Sequence, residues 1–436
     1  MKNSSNKKIL ICSYYFPPTK SVATVRIFNF HIEAQKHFQE VFGLTTSNRQ
    51  LFPKDHFPLN DNAVANITEV WTYDLRTFLG KKNNASTTIK QSKKESRFGK
   101  FIIKLAYSFP FNFILGDGGL TYILGGFVKG KKLIREKKID VIFSTFKPYS
   151  NHLICYLLKR WNSKLIWIAD FRDLHVDEMR DNVYFPKLQH WFNRQILKRA
   201  NIVTTVSRGL TKNLSDYHDK IYVLRNSISS TINQAASENS FFPKFTISYT
   251  GSIYANLRSA ELLFKALESL IRQGKIDDNK IQISYAGTEA GIWQKWVDDF
   301  NLQKINIFHG IVPMEEAKSI QQKSQINLLL SWASENQQGV LTAKFYEYLA
   351  AQNPILLIIK GSKDDEFEKI FDELNAGIVA YDQNDNQKKV EDFILKYYQE
   401  WLEKRTITRP IKMKTLQKFH WDFQMEQFLN YLEKEV

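Results

Sequence analysis

Lys344 and Glu347 stand three residues apart in GVLTAKFYEYLAAQNPIL, residues 339–356. That spacing puts a cation and a carboxylate on one face of a short helix. Thr342 is the expected N-cap, so the free N–H groups of the Gly339-Val340-Leu341-Thr342 loop and the positive helix end face whatever lies above them. A lysine beside such donors suits a diphosphate, and a carboxylate one turn on suits the vicinal hydroxyls of a ribose. Asn353 and Pro354 then stop the helix, and Ile355–Ile359 reads as a buried strand. The stretch describes a nucleotide-sugar pocket. An ordinary amphipathic helix accounts for the same spacing.

Two further groups have chemistry in them. Arg258 lies seven residues beyond Gly251 at the start of an expected helix. Gly251 and Ser252 let a phosphate approach the backbone there, and Arg258 is a fork for a pair of pyrophosphate oxygens. An exposed arginine at a helix start is the alternative. In Asp170-Phe171-Arg172-Asp173, Asp173 could orient or deprotonate an acceptor hydroxyl. Arg172 could pair with Asp170 or with an acceptor phosphate, or the group could merely tie down its loop.

Other chemistries find little support. No G-x-G-x-x-G follows the first strand or Gly251, which argues against a nicotinamide cofactor, and no Walker loop occurs. The nine histidines show no H-x-x-H or H-x-x-x-H spacing, and Cys12 and Cys155 cannot build a structural zinc site. The Asp-Asp pairs at 277–278, 298–299 and 364–365 read as solvated surface. No metal and no cofactor is expected.

The elements that must position these residues repeat one grammar twice. In the first half KKILICSYYF is a strand, a Pro17-Pro18 loop follows, and Val22–Phe38 has helical spacing that carries Arg26. Further strands are expected at 139–145, at Leu165–Ala169, at Asn201–Val206 after a helix Lys187–Arg199, and at Lys220–Leu224. The second half restarts near Phe245 with FTISYTG, a helix Leu257–Gln273, and the strands QISYAG, INIFHG, INLLLS, ILLII and AGIVAY. Continuous apolar strands alternating with helices mark an α/β fold with doubly wound parallel sheets. Ligands sit at the carboxyl ends of such strands. Those ends carry Pro17, Pro18, Ser21, Thr145 and the Asp170–Asp173 turn in the first half, and Pro17, Pro18, Ser21, Arg26, Thr145 and Asp170 are the expected acceptor-side residues. In the second they carry Gly251, Gly287, Gly310 and the Gly339 loop. Two Rossmann-like domains facing a central cleft are expected: 1–230 with a returning helix in 415–436, and 240–412, joined by the polar linker 228–244.

Composition sets the outer bounds. At 436 residues, 43% apolar and 14% aromatic, the chain fits two sizeable cores. Two cysteines imply no disulfide framework and a cytoplasmic setting. No secretory signal and no transmembrane helix is expected. The net charge of +16 is concentrated between Lys81 and Lys104, with eight Lys/Arg against Glu95. The aromatic FIIKLAYSFPFNFIL, residues 101–115, follows directly. Basic residues beside exposed aromatics suit peripheral contact with an anionic membrane through 81–115. No helix-turn-helix, zinc-finger or RNP pattern supports nucleic acid, and a solvated basic loop remains the plain alternative.

Taken together, several stretches resemble family 4 glycosyltransferases, the retaining GT-B group. They are YYFPP at 14–18, WIADFRDLH at 167–175, NIVTTVSRGLTKNL at 201–214, KIYVLRNSI at 220–228, YTGSIYANLRSAELLFKAL at 249–267, ISYAGTE at 283–289, 305–331 and 339–356. The resemblance implies that Glu347 binds the donor ribose and Arg258 the diphosphate. It implies that the 339–342 loop holds phosphate and sugar, and that Ile311 and Val312 flank the base. D-F-R-D and L-T-x-K-x-x-E-Y-L resemble one subgroup. The chain departs from the family pattern where Gly339 stands in place of the first glutamate of E-x7-E, where Ser21-Val22-Ala23 replaces Gly-Gly, and where Phe146-Lys147-Pro148 replaces a common histidine.

The expected activity is transfer of a sugar from a UDP- or GDP-linked donor to a glycan or lipid-linked acceptor in surface polysaccharide assembly, with retention. A nucleotide-sugar 2-epimerase of the same fold, or a non-catalytic sugar-binding or scaffold homologue with a decayed donor site, are the alternatives.

Overall fold

The computed structural model describes residues 5–19, 21–47, 54, 66–73, 101, 104–105, 108–113, 118–176, 182–228, 241–254, 256–335 and 338–436. Most of the basic and aromatic segment 81–115, and residues 229–240 of the linker, lie outside them. The chain forms two compact units. One comprises Met1–Val206, Leu210–Leu224 and Met425–Val436, the other Ser207–Gly209 and Arg225–Gln424.

The first unit holds β1 (Ser5–Cys12), β2 (Phe38–Thr46), β3 (Ile67–Val70), β4 (Val141–Phe146), β5 (Ile166–Phe171), β6 (Ile202–Thr205) and β7 (Ile221–Val223). They pair in the order β3-β2-β1-β4-β5-β6-β7, every neighbour parallel. Order reverses between β1 and β4, where Cys12 lies opposite Ser144. In an open parallel sheet that reversal leaves a crevice beyond the carboxyl ends. The strands read as unbroken apolar runs because helices cover both faces. β4 is buried at all its positions.

The second unit repeats the arrangement with β8 (Phe245–Thr250), β9 (Ile281–Ala286), β10 (Asn306–Gly310), β11 (Ile326–Ala333), β12 (Ile355–Gly361) and β13 (Gly377–Tyr381), in the order β10-β9-β8-β11-β12-β13. Its reversal falls between β8 and β11. The helix Glu261–Arg272 buries Leu262, Leu263, Ala266, Leu267 and Leu270 along one side. Each large side chain so buried contributes about 1.5–3 kcal/mol.

Four sequence expectations change. The first helix runs Val22–Ala34 rather than to Phe38, because Phe38 opens β2. β2 and β3 were not anticipated. The second-half helix begins at Glu261, so Arg258 sits in the loop before it, where Leu257 and Arg258 both donate to the Tyr254 carbonyl. Asp170 belongs to β5 rather than to the turn after it.

The last helix, Trp421–Glu435, starts in the second unit and ends in the first. Within the first, Phe428 and Tyr431 pack on Tyr222 at ring distances of 5.3 and 4.8 Å, and Lys220 meets Glu435 at 2.9 Å.

Candidate functional site

In the second unit the sequence-selected residues gather at the carboxyl ends of β8 and β9 and at the helix Ala343–Ala351. Gly251 ends β8 with φ of 138°, a conformation that glycine adopts freely. Its N–H donates to the Ala286 carbonyl at 2.8 Å, and the Gly287 N–H donates to the Gly310 carbonyl at 2.9 Å. A Cβ on Gly287 would collide with the Gly251 carbonyl and the Tyr285 hydroxyl. The three glycines therefore form one continuous rim. Ser252 lends its carbonyl to Tyr249 Oη at 2.8 Å and to Arg258 Nη1 at 3.2 Å.

Lys344 crosses this rim. Its Cε lies 3.3 Å from where a Cβ on Gly251 would stand. Its Nζ is 2.8 Å from Glu347 Oε2, so the pair foreseen from spacing is formed. Gln321 Nε2 donates to the same Oε2 and to Thr250 Oγ1, each at 2.8 Å. Both charged side chains stay about one-third exposed, at 31% and 30%. Arg258 stacks over the Tyr254 ring at 4.9 Å, and its Nε is buried without a partner among the described residues. Its charge acts on Tyr249 and Tyr348. Burial pushes the Tyr348 hydroxyl up to about 12. Lys344, paired with Glu347, and Arg258 thus bring two cations to the region where β8 ends.

The 339–342 loop differs from expectation. Its Gly339 N–H is taken by Asp364 Oδ2 at 2.7 Å and its Leu341 N–H by the Gly339 carbonyl at 2.7 Å, so neither faces a ligand. Leu341 is buried. Thr342 occupies the N-cap position, but its side chain caps nothing. The N–H groups of Val340, Thr342, Ala343 and Lys344 carry no hydrogen bond among the described residues. First-turn amides have no partner inside their own helix, which leaves these four as the loop's donors. Ile311 is 78% exposed after Gly310, and Val312 is half-buried. Sequence reasoning missed Gln321, Thr250 and Tyr348, none of which has a spacing signal. Glu289, inside the quoted ISYAGTE, was also passed over. It accepts from the Ile253 N–H at 2.9 Å and thereby fixes the Gly251 turn.

In the first unit several expected contacts are support instead. Asp170 is fully buried: Oδ1 accepts from Arg26 Nη2 at 2.8 Å and Thr204 Oγ1 at 2.9 Å, and Oδ2 from Thr145 Oγ1 at 2.9 Å. Burial pushes its carboxyl up, but the Arg26 charge and these hydrogen bonds outweigh that and hold it below the usual carboxylate range. Arg26 and Thr145 are buried with it. Asp170, Arg26 and Thr145 therefore serve one another as an interior network in the first unit. Arg172 does not pair with Asp170. It donates to the Phe146 carbonyl at 2.9 Å and to the Lys147 carbonyl at 3.3 Å, bracing the loop after β4. Asp173 is half-buried, and its carboxylate makes no hydrogen bond among the described residues, though its charge acts on Arg172. Ser21 caps the first helix by accepting from the Ala23 N–H at 3.0 Å. Pro17 is buried and Pro18 half-buried.

Beside this network His152 and His175 are buried, and desolvation pushes each down to about 3. Asp170 opposes the shift at His152. At His175 the Asn193 hydrogen bond opposes it, while His152, Lys147 and His190 add to it. Both are neutral in the fold, whereas in the unfolded chain they protonate near their ordinary value of about 6.5. The unfolded state binds more protons below that pH, so stability falls as pH drops from about 6.5 towards 3. Urea midpoints measured across this window are expected to decline; a flat profile to about pH 4 would contradict the desolvation.

Among the described residues no group of three or more His, Cys, Asp or Glu is placed to hold a metal ion. Nor, among the described residues, is any helix long and apolar enough to cross a membrane.

Similarity to solved structures extends over almost the whole chain. Sucrose-phosphate synthase from Thermosynechococcus elongatus aligns over 99% of this chain and 100% of its own, with a TM-score of 0.60 and 12% identity. A glycosyltransferase from Rickettsia africae aligns over 99% and 98%, with a TM-score of 0.58 and 12% identity. An Escherichia coli protein described as trehalose-6-phosphate bound with UDP-2-fluoro glucose aligns over 99% and 100%, with a TM-score of 0.58 and 12% identity. No protein-family model and no curated protein sequence matches. Together with the two parallel-sheet units, the similarity defines a GT-B fold.

Proposed function

We propose that this chain is a retaining glycosyltransferase that moves a sugar from a UDP- or GDP-linked donor to a glycan or lipid-linked acceptor in surface polysaccharide assembly. The observation that carries the reading is Lys344 lying over Gly251 while bonded to Glu347. A diphosphate above Gly251 takes the lysine charge, and Glu347, released from it, accepts from the ribose hydroxyls. Arg258 adds a second cation, and the free amides of Val340, Thr342, Ala343 and Lys344 add dipoles. Charge growing on the departing diphosphate is then met by groups already in place, and such preorganised stabilisation is usually the largest catalytic contribution. No metal is required by this scheme. Ile311 and Val312 flank the base. In the first unit Asp173, after β5, serves the acceptor together with Pro17, Pro18 and Ser21, after β1, and Arg172 holds the loop after β4. The protein acts at the cytoplasmic face of a membrane, with segment 81–115 in peripheral contact.

Thermal-shift measurements with UDP, GDP and ADP test the donor site. At a hundredfold excess over Kd the matching nucleotide is expected to stabilise the fold by about 2.7 kcal/mol. No shift with any of them would remove the proposal. A second reading, donor binding without turnover, is favoured by Gly339. A Cβ there would meet the Glu366 carboxylate and strain a backbone at φ of 65°, so a carboxylate side chain at this position would have to displace Glu366 from Arg225. Nucleotide release from a panel of UDP-, GDP- and ADP-sugars separates the two.

A further inference from the structure

The helix Gly119–Lys137 presents two unlike faces. Tyr122, Ile123, Gly126, Gly130 and Ile134 turn into the first unit. Leu120, Leu124 and Val128 turn out, at 50%, 59% and 64% exposure. Steps of four residues keep them on one ridge, and steps of three and four continue it through Lys131 and Arg135. The residues after β3 run alongside. The Tyr73 N–H donates to Thr121 Oγ1 at 2.8 Å, and Lys129 Nζ donates to the Glu69 carbonyl at 2.5 Å. This sets Trp71 and Tyr73, 65% and 48% exposed, beside the apolar end of the ridge.

The other end is basic. Lys129, Lys131, Lys132, Arg135, Lys137 and Lys138 face a single acid, Glu136. Lys131 and Arg135 stand over the Trp161 ring at 5.2 and 5.1 Å, which fixes their stems against the surface.

From this arrangement we infer that the ridge and its aromatic flank dock on an anionic lipid bilayer. The inference stands apart from the donor-site reading and uses residues outside 81–115. Leucines and valine supply apolar area for the headgroup boundary, Trp71 and Tyr73 are side chains suited to that depth, and the cations meet anionic headgroups. A second copy would bring the same positive charges together, which is repulsive. Nucleic acid would use the cations but has no use for the exposed leucines. The helix start lies at the carboxyl rim of the sheet, since a Cβ on Gly118 would stand 3.0 Å from Ser150 Oγ, just beyond β4. Docking there brings the rim to the height of a lipid headgroup.

Co-sedimentation of the full chain with phosphatidylcholine vesicles, with and without phosphatidylglycerol, tests this. The chain is expected to pellet only with the anionic vesicles, and less at high salt. Leu124→Asp with Val128→Asp is expected to cut binding about tenfold or more by removing apolar burial. Lys131→Ala with Arg135→Ala is expected to weaken it by about fivefold per residue. Circular dichroism confirms that each variant folds. The inference is overturned if the wild-type chain stays in the supernatant with anionic vesicles, or if the Leu124/Val128 variant pellets as well as the wild type. It is equally overturned if sedimentation velocity shows a dimer that this variant abolishes, because a second copy then covers the ridge. Loss of the UDP or GDP thermal shift would leave the vesicle result untouched.

Discussion

Asp170→Ala is expected to cost about 3–5 kcal/mol of folding stability, the range for breaking a buried ion pair on one side. The carboxylate is 0% and Arg26 5% exposed, so removing the acid strands a guanidinium in the interior. Thr145 and Thr204 lose their acceptor as well. A paired change, Asp170→Leu with Arg26→Met, is expected to be milder than the sum of the single changes, because the two residues share one network. Urea denaturation followed by circular dichroism measures both. A single-variant cost below about 1 kcal/mol, with activity lost, would instead restore Asp170 to the acceptor side.

Lys344→Ala is expected to behave in the opposite way. Lys344 and Glu347 are each about one-third exposed, so their ion pair contributes at most about 1 kcal/mol and the variant should fold almost as well. Its rate of nucleotide release from the preferred sugar donor should fall about 100- to 1,000-fold, the loss seen when one preorganised charge-stabilising donor is deleted. Glu347→Ala should chiefly raise the donor KM, since the proposed ribose contact would be made before and during transfer alike. Were Lys344→Ala to retain full turnover, diphosphate stabilisation would have to come from elsewhere.

The halves of the fold differ in how far residue patterns reveal them. All six strands of the second unit were anticipated, because each is an apolar run closed by Gly, Pro or a polar turn. β2 escaped notice because Gln35-Lys36-His37 separates it from the first helix without Gly or Pro, and Gln39-Glu40 interrupts its apolar run. β3 has only four residues. Around the rim of the second unit the 344/347 spacing was legible, since an i, i+3 pair shares one face of a short helix. The Asp170–Arg26 pair was not, because the two stand 144 positions apart and strand periodicity says nothing about which distant helix covers a face. Arg172 was misjudged for a related reason: its partners are backbone carbonyls of the loop after β4, which no side-chain pattern encodes.

The closing helix has a bearing on how the polypeptide is made. Residues Met425–Val436 complete the first unit, yet they leave the ribosome after all of Arg225–Gln424. While the nascent chain grows, Tyr222 has neither Phe428 nor Tyr431 to lie against. The first unit is thus completed only after the second has been synthesised, and its packing around Tyr222 waits until Met425–Val436 have emerged.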